Sequence, residues 1–274
     1  MRLVFSVLVT FGAAALAAGG MLLVRRRAPE GGWFTNGDRA AGIFGVLATG
    51  FALLLGFIVF LAFENYDTAR SGAETEAIDV AQQFETAQLL SPTAGAQLGG
   101  ELVCYARYVV HTEWPHMESG AQSVTVSPWT VALFTTLQGI NPSTPAAQAA
   151  YSKWLDQTSD REQGRHDRVH GAEGVVPLSV WLVLFFGAAV VFSFMLLFAD
   201  REEGRFVQAF SVGSVVALIT ATLLLIGALN RPFSSGPGGL KPVAMKQTLL
   251  TLDQARTIVG QLGPVPCDAR GTPL

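Results

Sequence analysis

Six charged side chains stand at the ends of long apolar stretches. Glu64, Asp67 and Arg70 follow one stretch, Arg165 and Arg168 precede another, and Arg231 follows a third. The chemistry open to them is electrostatic. Arginines gathered beside a low-dielectric slab can form a vestibule that concentrates anions or anionic headgroups. The same arginines can instead be used up in interhelical salt bridges with Glu64 and Asp67, their stems lying along the interface. Gly56, Phe60 and Phe63 share one helical face just ahead of Glu64, and Phe44, Phe51 and Ile58 share another. A ring of such phenylalanines in an oligomer would form the neck of a pore. The plainer use is lipid contact or helix packing.

His166 and His170 lie one helical turn apart, with Glu162 and Glu173 on their face. That spacing can chelate a divalent cation, but polar helix faces produce it by chance, and no metal site is expected. His111, Glu113 and His116 straddle a proline and are weaker still. No phosphate-binding glycine loop, nucleophile elbow or zinc-protease motif occurs, so neither an enzyme nor a cofactor is expected. Ser234-Ser235-Gly236 reads as a turn. No basic block is long enough to suggest a nucleic-acid partner.

The elements that must position these side chains are unusual. Half of the 274 residues are hydrophobic and only 14% are charged, which points to a multi-pass membrane protein. Residues 3–24, 40–63, 175–199 and 206–229 contain no Asp, Glu, Lys, Arg or His. Each is long enough to cross a hydrocarbon core of about 30 Å at about 1.5 Å of rise per residue. The first run has a small-residue stretch, Ala15-Leu16-Ala17, that resembles a signal-peptidase site. It continues to Val24 and ends in Arg25-Arg26-Arg27, as a retained span does. The expected partition is therefore residues 1–63 as spans one and two, 64–174 as an extramembrane helical segment, 175–229 as spans three and four, and 230–274 as an amphipathic helix with a flexible tail.

Four spans put both termini and 64–174 on one side of the membrane. The short connections carry Arg25, Arg26, Arg27, Arg39, Arg201 and Arg205. The positive-inside rule assigns these connections to the cytoplasm and 64–174 to the outside of the cell membrane. Cys104 and Cys267 both fall on that outer side. Topology permits a disulfide between them, but a Pro/Gly-rich tail of the kind around Cys267 is expected to be mobile, which favours two thiols that never meet. The absence of ionisable groups inside the spans argues against a pump or proton-coupled transporter and leaves a channel open.

Outside the spans every pattern is helical. The second span runs into polar sequence with no Gly or Pro before Gly72. Tyr66, Ala69, Ala73, Ala77, Val80, Phe84 and Ala87 then recur at steps of three and four, a packing seam. Ser91-Pro92-Thr93 ends it. A helix over roughly 94–114 carries Leu98, Leu102, Tyr105 and Val109, and Trp114-Pro115 is expected to close or kink it. A loop containing Gly120 leads to a short helix with Trp129, Leu133, Phe134, Leu137 and Ile140. Pro145 opens another, and a last amphipathic helix shows Met245, Leu249, Leu252 and Val259 on one face. Two stripes of small residues, Ala48/Ala52/Gly56 and Gly213/Ala217/Ala221, mark close helix contacts. The fold class is an all-α membrane protein: four transmembrane helices with a helical extramembrane bundle between spans two and three.

Several pieces carry a resemblance. Glu64-Asn65-Tyr66-Asp67-Thr68-Ala69-Arg70 leaves the second span, with Glu76-Ala77 beyond. Tyr105 leads to Glu113-Trp114-Pro115, then Met117 and Gly120. Arg161, Arg165 and Arg168 precede the third span, and Arg231-Pro232-Phe233-Ser234 follows the fourth. In these pieces the chain resembles the bestrophin-like family of bacterial membrane proteins, from the first span to about residue 255. The shared domain of that family has no assigned function. Its name implies kinship with bestrophins, which are pentameric anion channels. The resemblance thus implies a homo-oligomer in a lipid bilayer and chloride or another small anion as a partner. One departure stands out. The family pattern places an acid before Arg-Pro-Phe, and Asn230 stands here, where it can hydrogen-bond but not pair in charge. Two functions follow as expectations: an anion pore, or a non-conducting interaction or sensing protein that acts through its extramembrane helices.

Overall fold

No helix breaker interrupts the second apolar run as it turns polar, and one helix results. In the computed structural model this helix, α2, runs Gly37–Ala87. At about 1.5 Å per residue it is roughly 75 Å long, far more than a membrane core requires. The structure describes residues 2–29, 31–119, 127–236, 238–261 and 264–274. Among them the remaining elements are α1 (Arg2–Arg25), α3 (Pro92–Tyr108), a π turn (Val109–Glu113), α4 (Trp114–Glu118), α5 (Pro128–Gln138), α6 (Pro145–His170), α7 (Leu178–Leu197), α8 (Arg205–Leu229) and α9 (Val243–Ile258). The described residues contain no strand beyond a single isolated bridge between Cys267 and Pro273. Four helices, α1, α2, α7 and α8, are long and apolar enough to cross a membrane. The fold is an all-α membrane protein.

The chain divides into two compact units. The first comprises Met1–Asn65, Gly174–Asn230 and Gly236–Gly238. Within it α1 packs along α8 and α7 also touches both. Phe51, Leu55 and Ile58 of α2 form a core with Leu184 and Val191 of α7 and Ile226 of α8. A second core holds Ala17, Met21, Ala28, Ala199 and Val212. Gly213 lets α8 close on α1: a Cβ there would lie 3.4 Å from the Ala14 carbonyl oxygen and 3.7 Å from the Ala18 Cβ. That stripe therefore serves a contact inside the chain, whereas Ala52 and Gly56 of the other are exposed. The short connections interlock. Arg25 donates to the carbonyls of Asp200, Arg201 and Glu203, and Arg201 donates back to those of Arg25 and Arg26. At the opposite ends of the spans, the Asn230 side-chain oxygen accepts from the amides of Val175 and Val176, 2.8 Å each. Asn230 thus tethers the lead-in to α7 without any charge.

The second unit comprises Tyr66–Glu173, Arg231–Ser235 and Gly239–Leu274. Its core gathers Val80 and Phe84 from the α2 seam, Leu98, Leu102, Tyr105 and Val109, and Trp154, Phe233 and Met245. Three expectations fail here. First, Trp114-Pro115 does not close the helix. The π turn just before it places the Trp114 amide on the Val109 carbonyl, five residues back. Widening the turn makes room for the proline ring and uses the donor pattern that a proline disturbs. Helix then continues to Glu118. Second, Val259 lies beyond the end of α9 and is exposed, while Met245 and Leu252 are buried.

Third, Cys104 and Cys267 are joined as a disulfide, and the tail is ordered around it. Asp268 caps the turn by accepting from the amides of Arg270 and Thr272 at 2.8 Å each. Trp129 donates its indole N–H to the Gly271 carbonyl at 2.6 Å. Gly271 has a φ of +81° and sits against the backbone of Cys104 and Tyr108, so no side chain fits there. The polar composition that reads as mobile is the composition of a tight turn pinned to α3.

Candidate functional site

A chain with so few charges buries a surprising share of them in one place. The cause is a second seam on α2. Gly72, Glu76, Asp79, Gln83 and Thr86 recur at steps of four and three, one position behind the apolar seam, and all are buried. This seam meets α6, where Arg161, Gly164 and Arg168 are buried and Arg165 is half-buried. The two helices touch backbone to backbone at their glycines. A Cβ on Gly72 would lie 2.7 Å from the Gly164 carbonyl oxygen, and one on Gly164 would lie 2.8 Å from that of Gly72. The rod from α3 to α4 supplies the third wall. Its π turn delays the helical register, so Glu113 returns to the side of Tyr105 eight residues after it.

Arg168 is the centre. Its Nε donates to Glu76 Oε2 at 2.5 Å, and its Nη2 donates to Glu76 Oε1 at 2.9 Å and to Glu113 Oε2 at 2.7 Å. Arg165 Nη2 reaches the other oxygen of Glu113 at 2.8 Å. The Tyr105 hydroxyl donates to Glu76 at 2.6 Å. Arg161 donates to Gln83 at 2.9 Å, and its guanidinium lies 4.9 Å from the centre of the Tyr105 ring. The side chains of Arg168, Glu76 and Glu113 are wholly shielded from solvent.

The electrostatics follow. Burial pulls the Arg168 pKa down, but the charges of Glu76 and Glu113 more than offset this and raise it. Burial pushes Glu113 up, and the charges of Arg168 and Arg165 override it, so Glu113 sits below the usual carboxylate value. Burial, then the charge of Glu76, raises Tyr105 well above an ordinary tyrosine. Arg168, Glu113 and Tyr105 are therefore each held in one protonation state at neutral pH. Such a network can clamp three elements together. It offers no free base or nucleophile.

The sequence-singled residues are dispersed by comparison. Arg165 and Arg168 pair with Glu113 and Glu76 rather than with Glu64 and Asp67. Glu64 and Asp67 are exposed on α2, and Arg70 makes an exposed bond to Glu74 at 3.0 Å. Arg231 is exposed. Two motif pieces far apart in sequence do meet: Trp114 and Phe233 stack edge to face with ring centres 5.2 Å apart. Pro232 beside it is buried and takes the Leu240 amide at 2.7 Å, Ser234 closes a turn on Arg231, and Pro115 follows the π turn. Gly120 lies outside the described residues. His166 and His170 are exposed with stacked rings, and His170 lies 3.9 Å from Glu173. The key partner the sequence reading missed was Glu76. Its signal was the second seam, where acids and glutamines occupy packing positions.

A second buried acid behaves differently. Glu101 is 5% exposed, and only one of its oxygens finds partners, in Thr136 at 2.7 Å and Gln97 at 3.2 Å. Burial raises its pKa, and the bonds from Thr136 and Gln97 only partly oppose this. A raised carboxylate costs stability above its folded value and ceases to do so as pH falls through that value. Glu101→Gln is expected to stabilise the second unit by on the order of 1 kcal/mol at neutral pH. The gain should vanish below the ordinary glutamate value. Thermal unfolding of both proteins across pH checks the size and the sign.

In the first unit α2 shows a bare face. Gly42, Gly45, Thr49, Ala52, Gly56, Phe60 and Phe63 recur at steps of three and four and are all exposed. Among the described residues, a Cβ at Gly42, Gly45 or Gly56 would meet nothing within 4 Å. The opposite face, with Phe51 and Ile58 buried and Phe44 packed against them, is consumed within the chain.

With this geometry in view, a family model described as the bestrophin-like domain matches residues 11–240. The chain belongs to the bestrophin-like family. Solved structures share the fold. This bestrophin-like chain is similar to a membrane protein at a TM-score of 0.68 and 14% identity, over 95% of this chain and 100% of the other. It is similar to a bacterial bestrophin homologue from Klebsiella pneumoniae in two mutant forms, at TM-scores of 0.60 and 0.62 and 14% identity. These cover 93% and 92% of this chain and 100% and 98% of theirs. No curated protein matches it in sequence.

Proposed function

We propose that this bestrophin-like protein assembles with copies of itself into a pore for chloride or another small anion, with α2 at the neck. The bare face of α2 carries the reading. Glycine in a helix interior costs roughly 1 kcal/mol relative to alanine, and among the described residues nothing lies within 4 Å of where a Cβ on Gly42, Gly45 or Gly56 would stand. Close approach by a neighbouring helix explains their presence. The same face ends in Phe60 and Phe63, and ring edges carry the positive end of the aromatic quadrupole, which suits anions over cations. The face bears no acid. The proposal also places residues 64–174 and both termini outside the cell membrane. The arginines of the short connections and the disulfide support that orientation.

Chloride efflux from liposomes holding the purified oligomer tests the pore. Phe60→Ala removes the constriction and should raise efflux by about tenfold, equivalent to lowering a barrier by roughly 1.4 kcal/mol. Phe186→Ala, on an exposed face of α7, should leave it unchanged. A well-folded sample with no efflux above empty vesicles would move the weight to a non-conducting interaction or sensing protein.

A further inference from the structure

The second unit carries a cavity of about 610 Å³ between the start of α3, the end of α5 and the loop 139–144. That is an ordinary size for a small-molecule site, roughly 300–1,000 Å³. Its chemistry is selective. Among the described residues no charged side chain lines it. The polar lining is hydroxyl and amide, from Thr93, Gln97, Thr136, Asn141 and Ser143, with Leu89 and Ile140 as apolar surfaces.

The hydrogen bonding of the floor is already directed. Thr136 gives its proton to the buried Glu101 at 2.7 Å, and Gln97 Nε2 donates to Thr136 at 2.8 Å and to Glu101 at 3.2 Å. Both amide hydrogens of Gln97 are thus spent inward. The reversed amide would set two acceptors against each other, so the Gln97 carbonyl oxygen is left for a ligand. The rim supplies the complement. Ser91 and Thr144 accept the amides of Ala94 and Ala147 as helix caps, which leaves each hydroxyl proton to donate. An anion finds no cation here and has Glu101 behind the floor. A cation finds no lining carboxylate.

We infer that this cavity is a binding site for a neutral carbohydrate, a mono- or disaccharide whose hydroxyls meet Gln97 and the rim hydroxyls and whose C–H face lies on Leu89 and Ile140. The site is independent of conduction. The test is isothermal titration of the full chain, in nanodiscs or a detergent without a sugar headgroup. Maltose and N,N′-diacetylchitobiose serve as probes and glucuronate as the charged control. Saturable, salt-insensitive binding of at least one neutral disaccharide is expected. Gln97→Met should weaken it by about tenfold through loss of the acceptor. Asn141→Ala, on the exposed loop, should also weaken it, and serves if Gln97→Met disturbs folding. Failure of both disaccharides to bind would overturn the assignment, as would binding unchanged in both variants or binding of glucuronate alone that salt removes.

Discussion

Arg168→Met should collapse the extramembrane bundle, with a loss of about 3–5 kcal/mol. The substitution keeps most of the side-chain bulk and removes one charge. What remains is the problem: Glu76 and Glu113 stay fully buried with their shared cation gone. Arg165 still reaches Glu113, so Glu76 is the more exposed to this loss, keeping only the Tyr105 hydroxyl among its charged or polar partners. Near-ultraviolet circular dichroism on heating, together with limited proteolysis, should show an early transition confined to residues 66–173. The triple variant Glu76→Gln, Glu113→Gln, Arg168→Met should recover much of the loss, because neutral groups are far cheaper to bury than unpaired charges. pH separates the cases as well. Glu113 is depressed in the native protein, so its contribution is full above the ordinary carboxylate range and is lost as pH falls through the lowered value. The single variant should instead gain stability on acidification, as its stranded carboxylates take up protons. A melting curve for Arg168→Met within about 1 kcal/mol of the parent would mean that the network does not clamp the bundle.

What could be read from the sequence follows the range of the forces involved. Four runs without a charged group leave little choice but membrane helices, because twenty apolar residues have no soluble solution. The run-on of α2 past Glu64 was equally plain, since nothing between there and Gly72 could stop it. Periodicity also revealed the seam through Val80 and Phe84, which is a one-dimensional property of one helix. The partners of Arg165 and Arg168 were not visible, because Glu76 and Glu113 lie 92 and 55 residues from Arg168. The crossing of α2 and α6 at Gly72 and Gly164 brings Glu76 to Arg168, and the π turn between α3 and α4 brings Glu113. Glu64 and Asp67 looked better because they follow the end of a span as those arginines precede the start of one, and both are exposed. Pro115 misled for a different reason: a proline rule assumes α geometry upstream, and the π turn suspends that assumption.

Removing the disulfide, by Cys104→Ser with Cys267→Ser, should cost about 2–5 kcal/mol and release the tail. The cross-link spans 163 residues, and in a free chain closing so long a loop is worth about 5 kcal/mol. Here the spans already restrain the unfolded chain within the bilayer, so the lower part of the range is the better expectation. Local consequences add to the entropic one. Cys104 and Cys267 are both buried, and the turn they anchor gives Trp129 its acceptor at Gly271. A freed tail would therefore strand a buried indole N–H as well. Trp129 fluorescence should shift to the red in the double serine variant, and protease should remove residues beyond Ile258 while the helices survive. The same bond bears on orientation. A cross-link this well buried needs oxidation during folding, which the outside of the cell membrane provides and the cytoplasm does not. Protein made in a host lacking its envelope thiol-oxidising machinery should run as the reduced form on a non-reducing gel and melt like the serine variant. If it arrives fully oxidised there, the second unit acquired its disulfide by another route, and the outward orientation loses this support.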